Sequence, residues 1–118
     1  MRSLKNEVAK LNIAISVVAP GITTTPILKV ADESESPEAS AQRLRKLGIP
    51  VNEPEDVANA VVFLFGEGMK GNGKGLLIQA GRVVDVELGI AKSRAIWMGA
   101  EQLNLFRGKD SRAISGKL

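Results

Sequence analysis

Ile13-Ala14-Ile15-Ser16-Val17-Val18-Ala19-Pro20-Gly21-Ile22-Thr23-Thr24-Thr25-Pro26 is the stretch on which the fold turns. Ile13, Ile15 and Val17 alternate with Ala14, Ser16 and Val18, so both faces of the implied strand are mostly apolar. A strand of that kind fits a parallel sheet covered by helices on both sides. Pro20-Gly21 stops the strand in a turn, and a threonine-rich loop opens behind it. Such a loop can bring backbone groups close to a flat polar ligand. An ordinary strand-ending turn, with Thr25-Pro26 starting the next segment, is the other reading of the same residues.

Upstream, Leu4, Val8 and Leu11 recur at helical spacing, and Met1 to about Leu11 reads as helix. No N-cap precedes it, so it reads as the end of a longer helix. Downstream, Lys29 to Pro37 is an acidic surface loop, and a short helix follows from about Pro37 to Leu47, closed by Gly48. The clearest helix begins at Glu53-Pro54-Glu55-Asp56, with proline at the first position and acids in the first turn. Val57, Ala60, Val61, Leu64 and Phe65 form its expected buried stripe, and Gly66 and Gly68 end it. Lys70 to Gly75 reads as a tight, mobile glycine loop. Leu76-Leu77-Ile78-Gln79 is a short strand, with Val83-Val84-Asp85-Val86 a candidate return strand across Ala80-Gly81-Arg82. Leu88 to Phe106 carries two weak helical patterns. Strand, loop, helix, strand in this order makes one right-handed parallel crossover.

Composition bounds the chemistry. At 118 residues the chain is large enough for one domain with a core, and only 3% of it is aromatic, so that core is aliphatic. The absence of cysteine excludes disulfides and thiolate metal sites, and the absence of histidine removes the usual zinc ligand and general base. No metal site is expected. No apolar run reaches membrane-spanning length and no secretory signal opens the chain, so no membrane partner is expected and a cytoplasmic location is the default. The tail from Arg107 to Leu118 holds four basic residues against one acid, and that accounts for the whole net charge of +3. Four charges without interleaved aromatics do not make a nucleic-acid surface; a frayed, disordered, solvated end is the better reading.

Two glycine patterns imitate nucleotide loops. Gly66-x-Gly68-x-x-Gly71 matches the dinucleotide fingerprint, and Gly68 to Lys74 matches the opening of a phosphate loop. Both motifs need a strand before them and a helix after. Here the order is helix then strand, and the helix end nearby is the negative one. A helix stop followed by a turn explains the glycines better. Gly116-Lys117-Leu118 likewise falls short of the peroxisomal signal.

Three segments in order resemble the short-chain dehydrogenase/reductase family. Arg2-Ser3-Leu4 with Glu7-Val8-Ala9 resembles the back half of its catalytic helix. Ile13 to Thr25 resembles its penultimate strand and PGxxxT loop. Pro54 to Ala58 with Ala60-Val61-x-Phe63-Leu64 resembles the helix before its last strand. Gly75 to Gln79 and Arg82 to Glu87 look like the hydroxyprostaglandin-dehydrogenase type of member. The resemblance covers about Met1 to Glu87 and implies an α/β fold, the C-terminal part of a Rossmann-like doubly wound parallel sheet. Residues 1–87 would be the C-terminal half of such a domain and 88–118 a loosely matching helical tail.

The resemblance also implies a site. Pro20 and Gly21 would set the backbone of Ile22 against the carboxamide of NAD or NADP. Thr25 would hydrogen-bond cofactor carboxamide or phosphate oxygens, with Thr23 and Thr24 second to it. Lys29 to Leu47 would form a lid over an alcohol or ketone substrate. The glycine fingerprint, the acidic ribose ligand and the catalytic Ser-Tyr-x-x-x-Lys set would all lie upstream of Arg2. No tyrosine or histidine exists in the chain to replace the acid/base, so no catalytic residue is assigned and the chain alone is expected to be inactive. Family members associate through the corresponding helices and last strand. The alternative function is therefore a non-catalytic module that pairs as a homo-oligomer or with full-length relatives. Without an inner neighbour the Ile13–Val18 strand leaves an apolar edge, and marginal stability is expected.

Overall fold

Val17–Pro20 forms strand β1, which pairs in parallel with β2 (Gly75–Gln79); β2 in turn pairs antiparallel with β3 (Arg82–Asp85). The sheet order is β1-β2-β3. The computed structural model describes residues 1–28 and 34–108. It is an α/β structure whose three-stranded mixed sheet is compatible with a partial Rossmann-like fold. The chain divides into two compact units, Met1–Glu87 and Leu88–Leu118.

In the first unit, α1 spans only Lys5–Ala9. Asn12, at φ +57°, closes it in the left-handed region, with Ile13 N–H donating to Val8 O at 3.0 Å. Residues 13–16, read from sequence as strand, lie outside β1. They are held instead by Asn72, whose Oδ1 accepts from Ile15 N at 3.0 Å, and by Gly73 N donating to Ile15 O at 2.8 Å. The glycine loop thus has a structural task, supporting the entry to β1. The expectation of a strand buried on both faces is corrected too: Ile13 and Val17 are 51% and 46% exposed. Among the described residues β1 has only β2 beside it, which leaves its outer edge unpaired there. Val17 N and Gly21 N both point towards the β2 side, which places the missing N–H of Pro20 on the open edge, where it breaks no ladder bond.

Helix α2 (Pro37–Lys46) starts at Ser36, whose Oγ accepts from Ala39 N. It ends at Gly48, φ +76°, with Ile49 N–H reaching back to Leu44 O and Gly48 N–H to Arg45 O, both at 3.0 Å. Ala41, Leu44 and Val51 form one small core, with Ile49 and Leu28 packed against it. Helix α3 (Pro54–Glu67) is capped reciprocally: Glu53 accepts from the backbone of Asp56, and Asp56 Oδ2 accepts from Glu53 N at 2.8 Å. Of its expected stripe Ala60 is buried, packing with Leu76 and Ile78, and Leu64 is half-buried against them. Val61 and Phe65 are corrected to exposed, Phe65 at 82%. Gly66 lies inside α3, and a 3₁₀ turn (Gly68–Gly71) leads into β2. Helix, turn, strand is therefore the context of both glycine patterns, and neither has the strand-to-helix geometry of a nucleotide loop.

The hairpin forms with a tighter turn than expected. Arg82 belongs to β3, opposite Gln79, leaving Ala80 and Gly81 as the whole turn at φ +48° and +72°. Two successive positive φ values suit the right-handed twist of the strands. Val86, expected in the strand, opens α4 (Val86–Lys92). The second unit continues with α5 (Arg94–Met98) and α6 (Ala100–Phe106), so three short helices replace the two patterns read from sequence. Ser93 Oγ donates to Gly89 O at 2.9 Å at the first break, and Gly99 makes the second at φ +80°. Arg94 lies 5.0 Å over the Phe106 ring centroid. The acidic loop lies partly outside the described residues (29–33), as does most of the basic end (109–118).

Candidate functional site

The carboxyl ends of the two parallel strands lie side by side, Pro20 opposite Ile78. In open α/β sheets this is the end at which ligands are bound. The loop that leaves β1 there is built from backbone bonds. Gly21 N donates to Ile78 O at 2.9 Å. A Cβ on Gly21 would stand 3.3 Å from that same carbonyl and 3.4 Å from Gln79 Cγ, so glycine lets the chain pass close over the end of β2.

Ile22, Thr23 and Thr24 then run beside Asn52. Asn52 N donates to Ile22 O at 2.7 Å, Thr24 N donates to Asn52 O at 2.9 Å, and Thr23 sits between them in a single parallel bridge. Thr23 Oγ1 turns back to donate to Gly21 O at 3.0 Å. Ile22 is 41% exposed, and its carbonyl, engaged by Asn52, keeps one lone pair for a further partner. Thr25 is half-buried, and its carbonyl accepts from Leu28 N at 2.8 Å, which turns the chain away.

Pro20 ends β1, and Gly21, Ile22, Thr23 and Thr25 follow it on one loop at the carboxyl edge of the sheet. Thr24 differs from its neighbours: it is 8% exposed, and its Oγ1 has no hydrogen-bond partner among the described residues. A buried hydroxyl without a partner carries a desolvation cost that a bound polar group would relieve.

Asn52 has no place in the sequence reading, yet it organises the site. It is fully buried. Its Nδ2 donates to Ile78 O at 2.9 Å and its Oδ1 accepts from Gly81 N at 3.2 Å. The only signal in the chain is a lone amide between apolar Val51 and the helix cap, which no periodic pattern singles out.

The loop carries no ionisable side chain. Titration is perturbed elsewhere in the first unit, at the bidentate pair of Arg2 and Glu87, with Nε to Oε2 at 2.7 Å and Nη2 to Oε1 at 2.9 Å. The Arg2 hydrogen bonds hold the Glu87 carboxyl below the usual carboxylate range, and Glu87 raises Arg2 further. Three surface grooves of about 460, 410 and 310 Å³ flank the sheet and α3, and the loop residues line none of them. No helix among the described residues is long and apolar enough to cross a membrane.

Comparison with known proteins meets this geometry part of the way. Carbonyl reductase family member 4 of Xenopus laevis is 42% identical to the chain over 64 residues. Those residues are 54% of this chain and 25% of the relative, so the chain spans about a quarter of that protein's length. The match supports an oxidoreductase-like sequence of the short-chain dehydrogenase/reductase kind. No family model matches the chain. No solved structure matches it either.

Proposed function

We propose that this chain supplies the nicotinamide-facing wall of an NAD(P)-dependent short-chain oxidoreductase acting on alcohols or ketones, and that it performs no turnover by itself. The observation that carries the proposal is the Pro20–Thr25 loop at the carboxyl ends of two parallel strands, with the orphaned hydroxyl of Thr24 buried in it. The residues fit a carboxamide, which needs donors and acceptors together. Gly21 lets the loop leave β1 close over the end of β2, Ile22 is part-exposed, and Thr24 and Thr25 bring hydroxyls that both donate and accept. Thr24, the better buried of the two, joins Thr25 as a candidate because its hydroxyl is unpartnered among the described residues.

Bound nicotinamide nucleotide would supply the hydride; the residues of this chain would bind and orient its amide. Carbonyl reduction also needs a proton delivered to the substrate oxygen. The chain has neither tyrosine nor histidine, and the loop has no titratable group to take that part. Purified chain incubated with NADPH or NADH and a panel of ketones and aldehydes is expected to give no cofactor oxidation above the protein-free rate. Saturable turnover would overturn the proposal.

A second reading has its own support. Val62, Phe63 and Phe65 on α3 are 66%, 50% and 82% exposed, an apolar surface on a helix that also carries the core. A non-catalytic module that pairs with its own copies or with full-length relatives would cover it. Sedimentation of the chain alone and mixed with a full-length relative separates the readings. Co-sedimentation supports pairing, and a monomer at all concentrations removes it.

A further inference from the structure

Four hydrogen bonds meet at Asn52, two through its main chain and two through its amide. We propose that Asn52 is a positioning residue that locks the Pro20–Thr25 loop to the Ala80–Gly81 turn, so that a nicotinamide nucleotide seated on the loop also tightens the turn. The second half of that statement rests on the cofactor reading above; the first stands on geometry alone.

The main-chain contact to the loop is a one-residue bridge, without a ladder on either side to fix its register. An isolated bridge cannot by itself order the five residues from Gly21 to Thr25 against their conformational entropy. The side chain supplies what the bridge lacks. Ile78 O accepts from both Gly21 N and Asn52 Nδ2, so the start of the loop, the end of β2 and Asn52 converge on one carbonyl. From the other end of the amide, Oδ1 takes the N–H of Gly81, in a turn whose Ala80 is held at φ +48°. This arrangement needs a donor and an acceptor on one short neutral group. Aspartate would keep the acceptor but set a carboxylate oxygen against Ile78 O, and alanine would lose both bonds.

Amide hydrogen exchange of the full chain, with and without NADPH, tests this in the wild type, Asn52→Ala and Asn52→Asp. In Asn52→Ala, exchange at Gly21, Thr24 and Gly81 should accelerate together by about ten-fold, the scale of one or two lost hydrogen bonds. Ile49, at the end of α2, should keep its rate. In Asn52→Asp, protection should return at Gly81 and stay lost at Gly21 and Thr24, a split that general destabilisation does not produce. If Asn52→Ala fails to fold, the aspartate variant carries the test. Equal acceleration at all amides, or unchanged rates at Gly21 and Thr24, overturns the positioning role. NADPH should slow exchange at Gly81 in the wild type and not in Asn52→Asp. Should NADPH leave the wild type untouched, the cofactor reading and the coupling fall together, while the variant pattern still decides whether Asn52 positions the loop. Measurable and equal NADPH affinity in all three proteins overturns the coupling between loop and turn.

Discussion

Thr24 and Gly21 show how single residues divide stability from binding. The Thr24 hydroxyl is buried without a partner, so Thr24→Val should leave the free chain as stable or raise its stability by about 1 kcal/mol. The same change should weaken nicotinamide nucleotide binding; urea unfolding and a binding titration read the two effects separately. At Gly21 the obstacle to a side chain is the Ile78 carbonyl, which is backbone and yields little. Gly21→Ala should cost about 1 to 2 kcal/mol in urea unfolding. Arg2 and Glu87 give a pH signature. Arg2 lowers the folded-state pKa of Glu87, so any stability the pair adds is present above the unfolded-state value, about 4.3. It is lost as pH falls through the lower folded value. In Arg2→Ala the Glu87 carboxyl should titrate at higher pH by NMR, and acid sensitivity between those two values should shrink. The sequence makes Pro20, Gly21 and the threonines visible because turn residues and hydroxyls are distinctive. It hides Asn52, since a buried amide declares itself only through partners at positions 22, 24, 78 and 81.

Elements were legible where local chemistry decides them. Pro54 with its acids, Pro37 and Gly48 mark their helix ends by local chemistry, and the structure adds the Ser36 cap, whose partner lies within a few residues. The strand ends and the stripe of α3 were less legible because they depend on tertiary neighbours. Ile13 to Ser16 have the alternation of a strand, but the strand at their flank begins only where Lys74 O meets Val17 N. Val61 and Phe65 have helical spacing, but the three-stranded sheet is too small to cover them. The hairpin turn holds a testable imperfection. Ala80 occupies a left-handed conformation that costs an L-residue about 1 to 2 kcal/mol, a cost that glycine avoids and asparagine reduces. Ala80→Asn should therefore stabilise the first unit by about 1 kcal/mol in chemical denaturation. No gain would mean that the turn is held by something other than its own backbone preference.

For the whole molecule, the balance lies between small cores and a large uncovered apolar surface. The two clusters in the first unit hold three buried residues each, while Leu11, Val62 and Phe65 are 71%, 66% and 82% exposed. Such a chain is expected to be marginally stable and to associate as its concentration rises. A cooperative melt of dilute monomer at ordinary mesophile temperatures would contradict that. The partial match to a carbonyl reductase and the α/β architecture agree on an oxidoreductase-like chain. The proposal assigns the cofactor contact to the Gly21–Thr25 loop. The most direct measurement is a two-dimensional amide NMR titration of the chain with NADP⁺ and NADPH. The account predicts shifts concentrated at Gly21 to Thr25 and at Asn52, even when binding is weak. Undisturbed loop amides, or shifts confined to α3 and its grooves, would contradict it.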